Sequence, residues 1–534
     1  MGRRIRIIMI GAGLSGIGAV KLFKDTFPDR DVDFVIYEKN SDVTGTWLEN
    51  RYPGCACDVP AHAYTYSWEG NPHWSRPYVG AVELYNYFKG RATAYGIAEF
   101  LHLENKVTGA SWDDQRGKWI VQVKDLRTGS TFADEGEILI NASGFLNSWN
   151  WPEIPGLKKF EGKLLHSADW DHNYDFHNKT VVLIGSGSSA VQIVPQLQPI
   201  VKHMYSINRS KGWISPHFAS QFAPEGPNTI FTKEQQLRWE KDKDGFLAYR
   251  REIEAYLNGS FELYHKNSDL QKWASENYRE TMCERLGYNE ELIKKLVPDE
   301  QVGCRRLTPG YGYLEALASN NVAVKTDAIK EITSSGLRMG DGSFLKVDAI
   351  ICATGFDTSY RPAFPVVAFG RDLRDAWKDE PRSYLSIAAA GIPNYFIMSG
   401  PNFSVSNGGL IPCLEANVRY AFAVAKKIQR EGIKSLAPKQ EAVDDFQQYK
   451  DAIMENLVWS GNCVSWYKRN GKVWGPWPGS SLHYLETLST PRWEDYEISY
   501  QRRNRFTYLG NGRTTREKIG KDLAYYVQEP GSKL

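Results

Sequence analysis

The chain has 534 residues, 42% of them hydrophobic, which is too long for one core and enough for two or three domains that each bury their own. Lys and Arg number 65 against 63 Asp and Glu, a net charge of +2 with no long block of like sign, so neither nucleic acid nor an anionic membrane is expected as the main partner. No apolar stretch reaches the roughly 18 residues needed to span a bilayer, so no stable membrane insertion is expected.

The opening GRRIRIIMIGAG has the basic start and apolar run of a short signal peptide. The run passes directly into a glycine turn with no small-residue cleavage site, so it reads as a first strand, Ile7 to Ile10. Gly11, Gly13 and Gly16 follow, Ile17, Val20, Leu22 and Phe23 form an apolar helical face, and Phe34 to Tyr37 is a second strand ending at Glu38. Glycines there permit a tight turn and close backbone approach to a pyrophosphate at the helix N-terminus, and the acid accepts a ribose hydroxyl. The segment therefore predicts a dinucleotide site.

The string Phe160 to Trp170, FEGKLLHSADW, lies between this unit and a second one and reads as a connector able to respond to both ligands. In the second unit Thr180 to Ile184 is the strand, Gly185, Gly187 and Ala190 the turn, and Val201 to Ile207 the next strand. That strand runs into Asn208, Arg209, Ser210 and Lys211 where the first unit has an acid. A carboxylate repels a 2′-phosphate and Arg and Lys bind one, so the second site should prefer NADP over NAD. An acid in the first site and bases in the second suggest FAD followed by NADPH.

Residues 220–300 are charged and helix-patterned, with the charges expected on a solvated face and the Trp and Tyr residues packed inward. Asn470–Gly471 and Asn511–Gly512 read as turns. From Trp493 onward an arm packed over the first domain, or a subunit contact, is expected. The chain closes on Ser532, Lys533 and Leu534, a peroxisomal import address if the cell is eukaryotic; otherwise a cytoplasmic location is expected. The seven cysteines are odd in number and scattered without metal-ligand spacing, for which a reducing compartment fits best.

Three longer strings point to a family. GTWLENRYPGCACD, Gly45 to Asp58, fits GxWxxxx[FY]PGxxxD. The connector fits FxGxxxHxxxW at Phe160, Gly162, His166 and Trp170, followed by Asp171, and ATGFD stands at Ala353 to Asp357. With two glycine turns, the chain resembles the Baeyer-Villiger monooxygenases, class B flavoprotein monooxygenases. Thr44, where that family usually has Gly or Ala, and Ala190, at the third glycine of the second turn, depart from its pattern.

The resemblance implies an α/β fold of two Rossmann-like dinucleotide-binding domains, the NADP domain inserted in the FAD domain. Residues 1–145 would begin the FAD domain, 146–356 would form the NADP domain with its helical insertion, and 357–534 would complete the FAD domain and carry the C-terminal arm. ASGF, Ala142 to Phe145, would make the outgoing crossing and ATGFD the return. The implied activity takes a ketone and O2 with NADPH and inserts one oxygen atom through a flavin peroxide, giving an ester or lactone.

Arg306 in CRRL matches the family's active-site arginine and Asp58 the aspartate that orients it, while Arg305 matches a base for the 2′-phosphate. Trp47 and Tyr64 match flavin-side positions, Gln192 one near the nicotinamide, and Trp466 a mobile-loop tryptophan. Thr46, Val107, Ser188 and Ser189 complete the candidate cofactor-binding set. His166 and Trp170 would serve as hinges or latches, because the implied chemistry needs no base there. A flavin monooxygenase acting on nitrogen or sulfur, and a redox sensor without turnover, are the alternatives.

Overall fold

The computed structural model describes residues 4–29, 31–403 and 406–527. Ser532, Lys533 and Leu534 lie outside the described residues. Among the described residues no helix is long and apolar enough to cross a membrane.

Two five-stranded parallel sheets organise the chain. In the first, the order is Tyr395–Ile397, Ile138–Asn141, Ile5–Ile10, Val32–Tyr37 and Leu101–His102. Strands from both halves of the chain thus share it, with Tyr395 beside Leu139 and Ile10 beside Tyr37. In the second, the order is Val322–Lys325, His203–Ile207, Thr180–Ile184, Ala349–Cys352 and Lys163–His166. Continuous Ile/Val/Leu runs suit strands covered on both faces, and Ile7, Ile8, Met9, Val181, Val182 and Leu183 are all fully buried. A third sheet, built on the hairpin Asn105–Asp113 and Lys118–Asp125, packs beside the first. The long amphipathic helix Leu410–Glu431 covers the first sheet, its Phe422 meeting Phe23, Phe27 and Phe34 edge to face.

Each sheet has one glycine turn, and each turn is pressed against a chain crossing. Gly11 has φ +104°, and a Cβ there would sit 2.5 Å from the Ala142 carbonyl oxygen, where ASGF begins. Gly185 has φ +126°, and its Cβ would sit 2.3 Å from the Ala353 carbonyl oxygen, where ATGFD begins. Only glycine permits both that backbone and that approach.

Four sequence expectations are corrected. The connector, which by its position between two units reads as an interdomain loop, contains a strand: Lys163–His166 pairs with Ala349–Cys352 as the edge strand of the second sheet, too short a stretch for a period of two to stand out. The arm after Trp493 is packed only in part: Tyr496–Tyr500 pairs antiparallel with Ile433–Pro438 and Arg505–Leu509 lies against the helix Leu410–Glu431, but residues 501–514 and 516–527 are exposed. The cysteines are not all unpaired, since Cys304 and Cys463 form a disulfide across 159 residues, a separation that hid the pair. The fourth concerns the helical insertion.

That insertion contains Lys233–Lys241, Lys243–Asn258, Asp269–Arg285 and Glu290–Leu296. Its starts are set locally: Thr232 and Gln235 form a reciprocal capping box, and Ser268 and Asn289 accept from the backbone N–H groups of Gln271 and Leu292. Trp239 and Tyr264 pack inward as expected, but Trp273 is 54% and Tyr256 50% exposed, because they face a cavity. Nor are all its charges solvated. Arg250 donates to Thr65 Oγ1 and to the Tyr66 carbonyl, both at 3.0 Å, and clamps the 62–66 turn.

Candidate functional site

One cavity of about 860 Å3 is lined by residues of the first glycine turn, the start of the helix after the second turn, and the helical insertion. At its first end lie Gly11, Gly13 and Glu38, with Gly45, Thr46, Trp47, Tyr64 and Val107 further along. Gly16 sits beneath, and a Cβ there would lie 2.3 Å from the Gly11 carbonyl oxygen. Glu38 ends its strand buried, and its carboxylate accepts from the backbone N–H groups of Ala12 and Asn40, both at 2.8 Å. Burial pushes this carboxyl above its ordinary value, and the two donors oppose the rise. Its bond to the Ala12 N–H ties the end of this strand to the first glycine turn. Trp47 and Tyr64 meet edge to face with ring centroids 5.7 Å apart.

Further in, Arg306 Nη2 donates to Asp58 Oδ2 at 2.5 Å. Both residues line the cavity, so the 42% of the Arg306 side chain that is exposed is surface turned toward a ligand space within the molecule. The Asp58 charge raises the guanidinium above its already high ordinary value, with burial opposing, so Arg306 carries a permanent positive charge. Asp58 closes the turn PGCACD, and Arg306 follows Cys304 and Arg305 after the helical insertion. Gln192, on the helix after the second turn, ties the two regions together: it accepts from the Tyr52 hydroxyl at 2.9 Å and donates to the Ala56 carbonyl at 3.0 Å. Ser188 and Ser189 line the cavity beside it.

The bases expected near a 2′-phosphate gather at the C-terminal end of the strand His203–Ile207, beyond the cavity lining. Arg305 donates through Nη1 to the Lys211 carbonyl, and Lys211 Nζ pairs with Asp299 at 3.1 Å. Burial lowers the Arg305 guanidinium from its ordinary value; Glu300 opposes this and Arg209 adds to it. Ser210 offers its carbonyl to the Ser186 hydroxyl at 3.2 Å, fixing the loop that carries Arg209. A cluster of three cations held by one loop and one neighbouring segment suits a dianionic phosphate better than a ribose hydroxyl. Open space lies where a Cβ of Gly187 would stand, leaving the backbone of the second turn accessible.

Comparisons with known proteins bear on the same regions. A family model described as flavin-binding monooxygenase-like matches residues 4–226. The FAD-binding monooxygenase tazF of Aspergillus terreus is 39% identical across 98% of this chain and 95% of its own length. A protein of Pseudomonas aeruginosa named Baeyer-Villiger monooxygenase is 31% identical across 90% of this chain and 89% of its own. The chain belongs to the class B flavoprotein monooxygenases, the family of the Baeyer-Villiger enzymes. In fold it is similar to cyclohexanone monooxygenase of Rhodococcus sp. Phi1 bound to NADP+, with a TM-score of 0.78 at 24% identity, covering 94% of this chain and all of that one. A steroid monooxygenase bound to NADP gives the same TM-score at 23% identity over 93% of this chain and all of that one.

In this class B flavoprotein monooxygenase, His166 links the return crossing to the stretch that follows the outgoing one. Its ring stacks on Trp149 at 4.3 Å, Nε2 lies 3.3 Å from the Thr354 hydroxyl oxygen, and Nδ1 accepts from the Ala168 N–H. Burial lowers its pKa, so near neutrality it is an uncharged packing and hydrogen-bonding group. Trp170 stacks on Phe176 at 5.5 Å, and Asp171 forms an ion pair with Lys163 within the same segment. Trp466 lines the cavity with its ring 5.8 Å from Phe145 of the outgoing crossing.

Sequence reasoning missed the share of the cavity lined by the insertion, Tyr256, Tyr264, Trp273 and Tyr278, and by His217 and Phe218 just before it. Their aromatic character is visible in the sequence, but only the fold of the insertion over the 52–64 region shows which of 69 aromatic residues (17 Trp, 29 Tyr and 23 Phe) reach the site. The Cys304–Cys463 disulfide, between the Arg306 segment and the Trp466 loop, was missed for the reason already given.

Proposed function

We propose that the chain is an FAD-dependent, NADPH-consuming Baeyer-Villiger monooxygenase that inserts one oxygen atom of O2 beside a ketone carbonyl to give an ester or lactone. The observation that carries this reading is the Arg306–Asp58 pair, set in a cavity that runs from one dinucleotide turn to the helix of the other. The names of relatives and of structures of similar fold, which include FAD-binding and NADP-bound monooxygenases, support the cofactors.

The residues present fit both groups. Glu38 and the Gly11–Gly16 turn would hold FAD through its ribose and pyrophosphate, with Trp47, Tyr64 and Val107 along the cavity wall. The Gly185–Gly187 turn, Ser188 and Ser189 would hold the NADP pyrophosphate, and Arg209, Lys211 and Arg305 its 2′-phosphate. Bound there, FAD supplies oxygen activation and NADPH supplies the two electrons that activation requires.

Oxygen insertion beside a carbonyl places negative charge on oxygen atoms as the carbonyl carbon becomes tetrahedral. Arg306 faces that space with a charge that does not titrate, so it can stabilise such oxygens without giving up a proton. Asp58 holds the guanidinium in one orientation and balances its charge before substrate arrives. Gln192 fixes the Tyr52–Ala56 turn that leads to Asp58, and the aromatic rings of the insertion exclude water and pack against an apolar ketone.

The test is to supply purified protein with FAD, NADPH, O2 and a panel of linear, cyclic and steroidal ketones, alongside sulfides and tertiary amines, and to identify products by mass. Ester or lactone formation, abolished or reduced on the order of 10²–10³-fold by Arg306→Ala, is the expected result. Consumption of sulfides or amines with no ketone product would move the chain to the nitrogen- and sulfur-oxidising reading.

A further inference from the structure

The proposed reaction uses no cysteine, yet a cysteine pair joins two segments of its site. Cys304 immediately precedes Arg305 and Arg306, and Cys463 stands three residues before Trp466. The two are disulfide-bonded with Cα atoms 6.2 Å apart. Both are buried, at 1% and 7% exposure, and Gly303, Arg306 and Trp466, close to them in sequence, line the cavity.

The segment around Cys463 is anchored at both ends. Trp459 is fully buried on one side, and on the other Lys468–Arg469 pairs with Lys472–Val473 in a hairpin. Between these anchors Val464 is 76% exposed. The disulfide is the covalent tie from this loop to the Arg306 segment. Lys468 donates to the Gly461 carbonyl and holds its ammonium 3.5 Å from Cys463 Sγ. A cation so placed favours the thiolate of a reduced Cys463, the form that reacts with peroxides and disulfides.

We propose that Cys304 and Cys463 are a redox-active pair whose oxidation fixes the Trp466 loop to the Arg305–Arg306 segment and whose reduction frees it. The oxidant is hydrogen peroxide. The Cys463 thiolate attacks one peroxide oxygen, the O–O bond breaks, and a sulfenic acid and hydroxide form, the hydroxide taking a proton to become water. The Cys304 thiolate then attacks the sulfenic sulfur, the S–O bond breaks, and hydroxide again leaves as water with a proton. Two thiols and one peroxide give one disulfide and two waters, with two electrons passing from sulfur to oxygen. A dithiol reverses the change by thiol–disulfide exchange. With the loop tied, Trp466 stays against the cavity and should keep water from it. With the loop free, NADPH oxidation should separate from product formation. This last consequence rests on the proposed NADPH-dependent activity, whereas the thiol chemistry does not.

The experiment uses the full-length protein with FAD, reduced with dithiothreitol, desalted, and divided into samples with and without a few equivalents of hydrogen peroxide. Peptide mapping after alkylation should show a linked Cys304–Cys463 peptide only in the oxidised sample. Cys283, unpaired and half-buried, should stay alkylatable in both. Limited proteolysis should cut at residues 461–465 at least several-fold faster in the reduced sample, and the NADPH consumed per product should rise at least twofold.

Cys463→Ser should behave as the reduced enzyme under both conditions, and Cys283→Ser should switch as the parent does. If Cys304→Ser fails to fold, Cys463→Ser alone decides the matter. Failure of the linked peptide to form under peroxide overturns the proposal, as does equal cleavage of the loop in the two states. Absence of ketone oxygenation with switching intact by mapping and proteolysis would instead count against the catalytic reading.

Discussion

Asp58→Asn isolates the electrostatic part of the Arg306 arrangement, since it keeps the size of the side chain and its ability to accept from Nη2 but removes the charge. The pair is at 2.5 Å, with Arg306 42% and Asp58 25% exposed toward the cavity. Exposed ion pairs are worth about 0–1 kcal/mol, and breaking buried ones costs about 3–5 kcal/mol. A half-screened pair on a cavity wall falls between, at about 1–3 kcal/mol. If that energy holds Arg306 where negative charge develops, its loss lowers the oxygenation rate by about 5- to 150-fold, since about 1.4 kcal/mol is tenfold. FAD content should not change, because Asp58 lies away from the Glu38 end. The assay is product formation by mass under saturating NADPH, with flavin absorbance as the measure of FAD content. Arg306→Lys, which keeps a charge but loses the planar fork, should also be slow. Asp58→Asn turning over at the parental rate would refute the positioning role.

Three other outcomes are expected. Arg209→Ala combined with Lys211→Ala should raise the KM for NADPH by about 10- to 100-fold while leaving that for NADH within about twofold, because each charged hydrogen bond to phosphate contributes about 1.5–3 kcal/mol and part of it is screened at this exposed edge. Thr44 is fully buried at φ +84° with an unpartnered hydroxyl, so Thr44→Gly should raise stability by about 1 kcal/mol in urea denaturation, the relief of strain exceeding the added backbone entropy. His62 is fully buried among Phe231, Trp239, Phe246 and Tyr249, and burial lowers its pKa to about 3 from an ordinary 6.5. Below pH 6.5 the unfolded chain takes up a proton that the folded one refuses until about pH 3, so this group costs stability progressively as pH falls through that window. The melting temperature of His62→Phe should therefore exceed the parent's by more at pH 5 than at pH 8.

Both glycine turns and the ends of the strands beside them were legible, although two strands start two residues earlier than read, at Ile5 and Val32, and one two residues later, at His203. The stretches 7–10 and 181–184 are apolar runs followed by glycines, and the acid at Glu38 and the bases at Arg209 and Lys211 follow at the distance one strand–helix–strand unit sets. These are short-range consequences of backbone sterics and burial, so they are written locally. The pairing of Asp58 with Arg306 is not of this kind: 248 residues separate them, and only the family resemblance brought them together before the structure did. The same holds for Tyr395–Ile397 joining the first sheet and for Lys163–His166 becoming an edge strand of the second, because which strand pairs with which depends on the whole chain's packing.

Local sequence by itself determined the two glycine turns and the residues that end the strands beside them, because these depend on a few neighbouring dihedral angles. Tertiary structure alone decided what stands across the cavity from them: the insertion's aromatic rings, the orientation of Arg306 by Asp58, and the disulfide between Cys304 and Cys463. Each of these requires the closing of loops of more than a hundred residues or the docking of one domain on another. Such contacts follow from the burial of surface over the whole chain and carry no local periodicity.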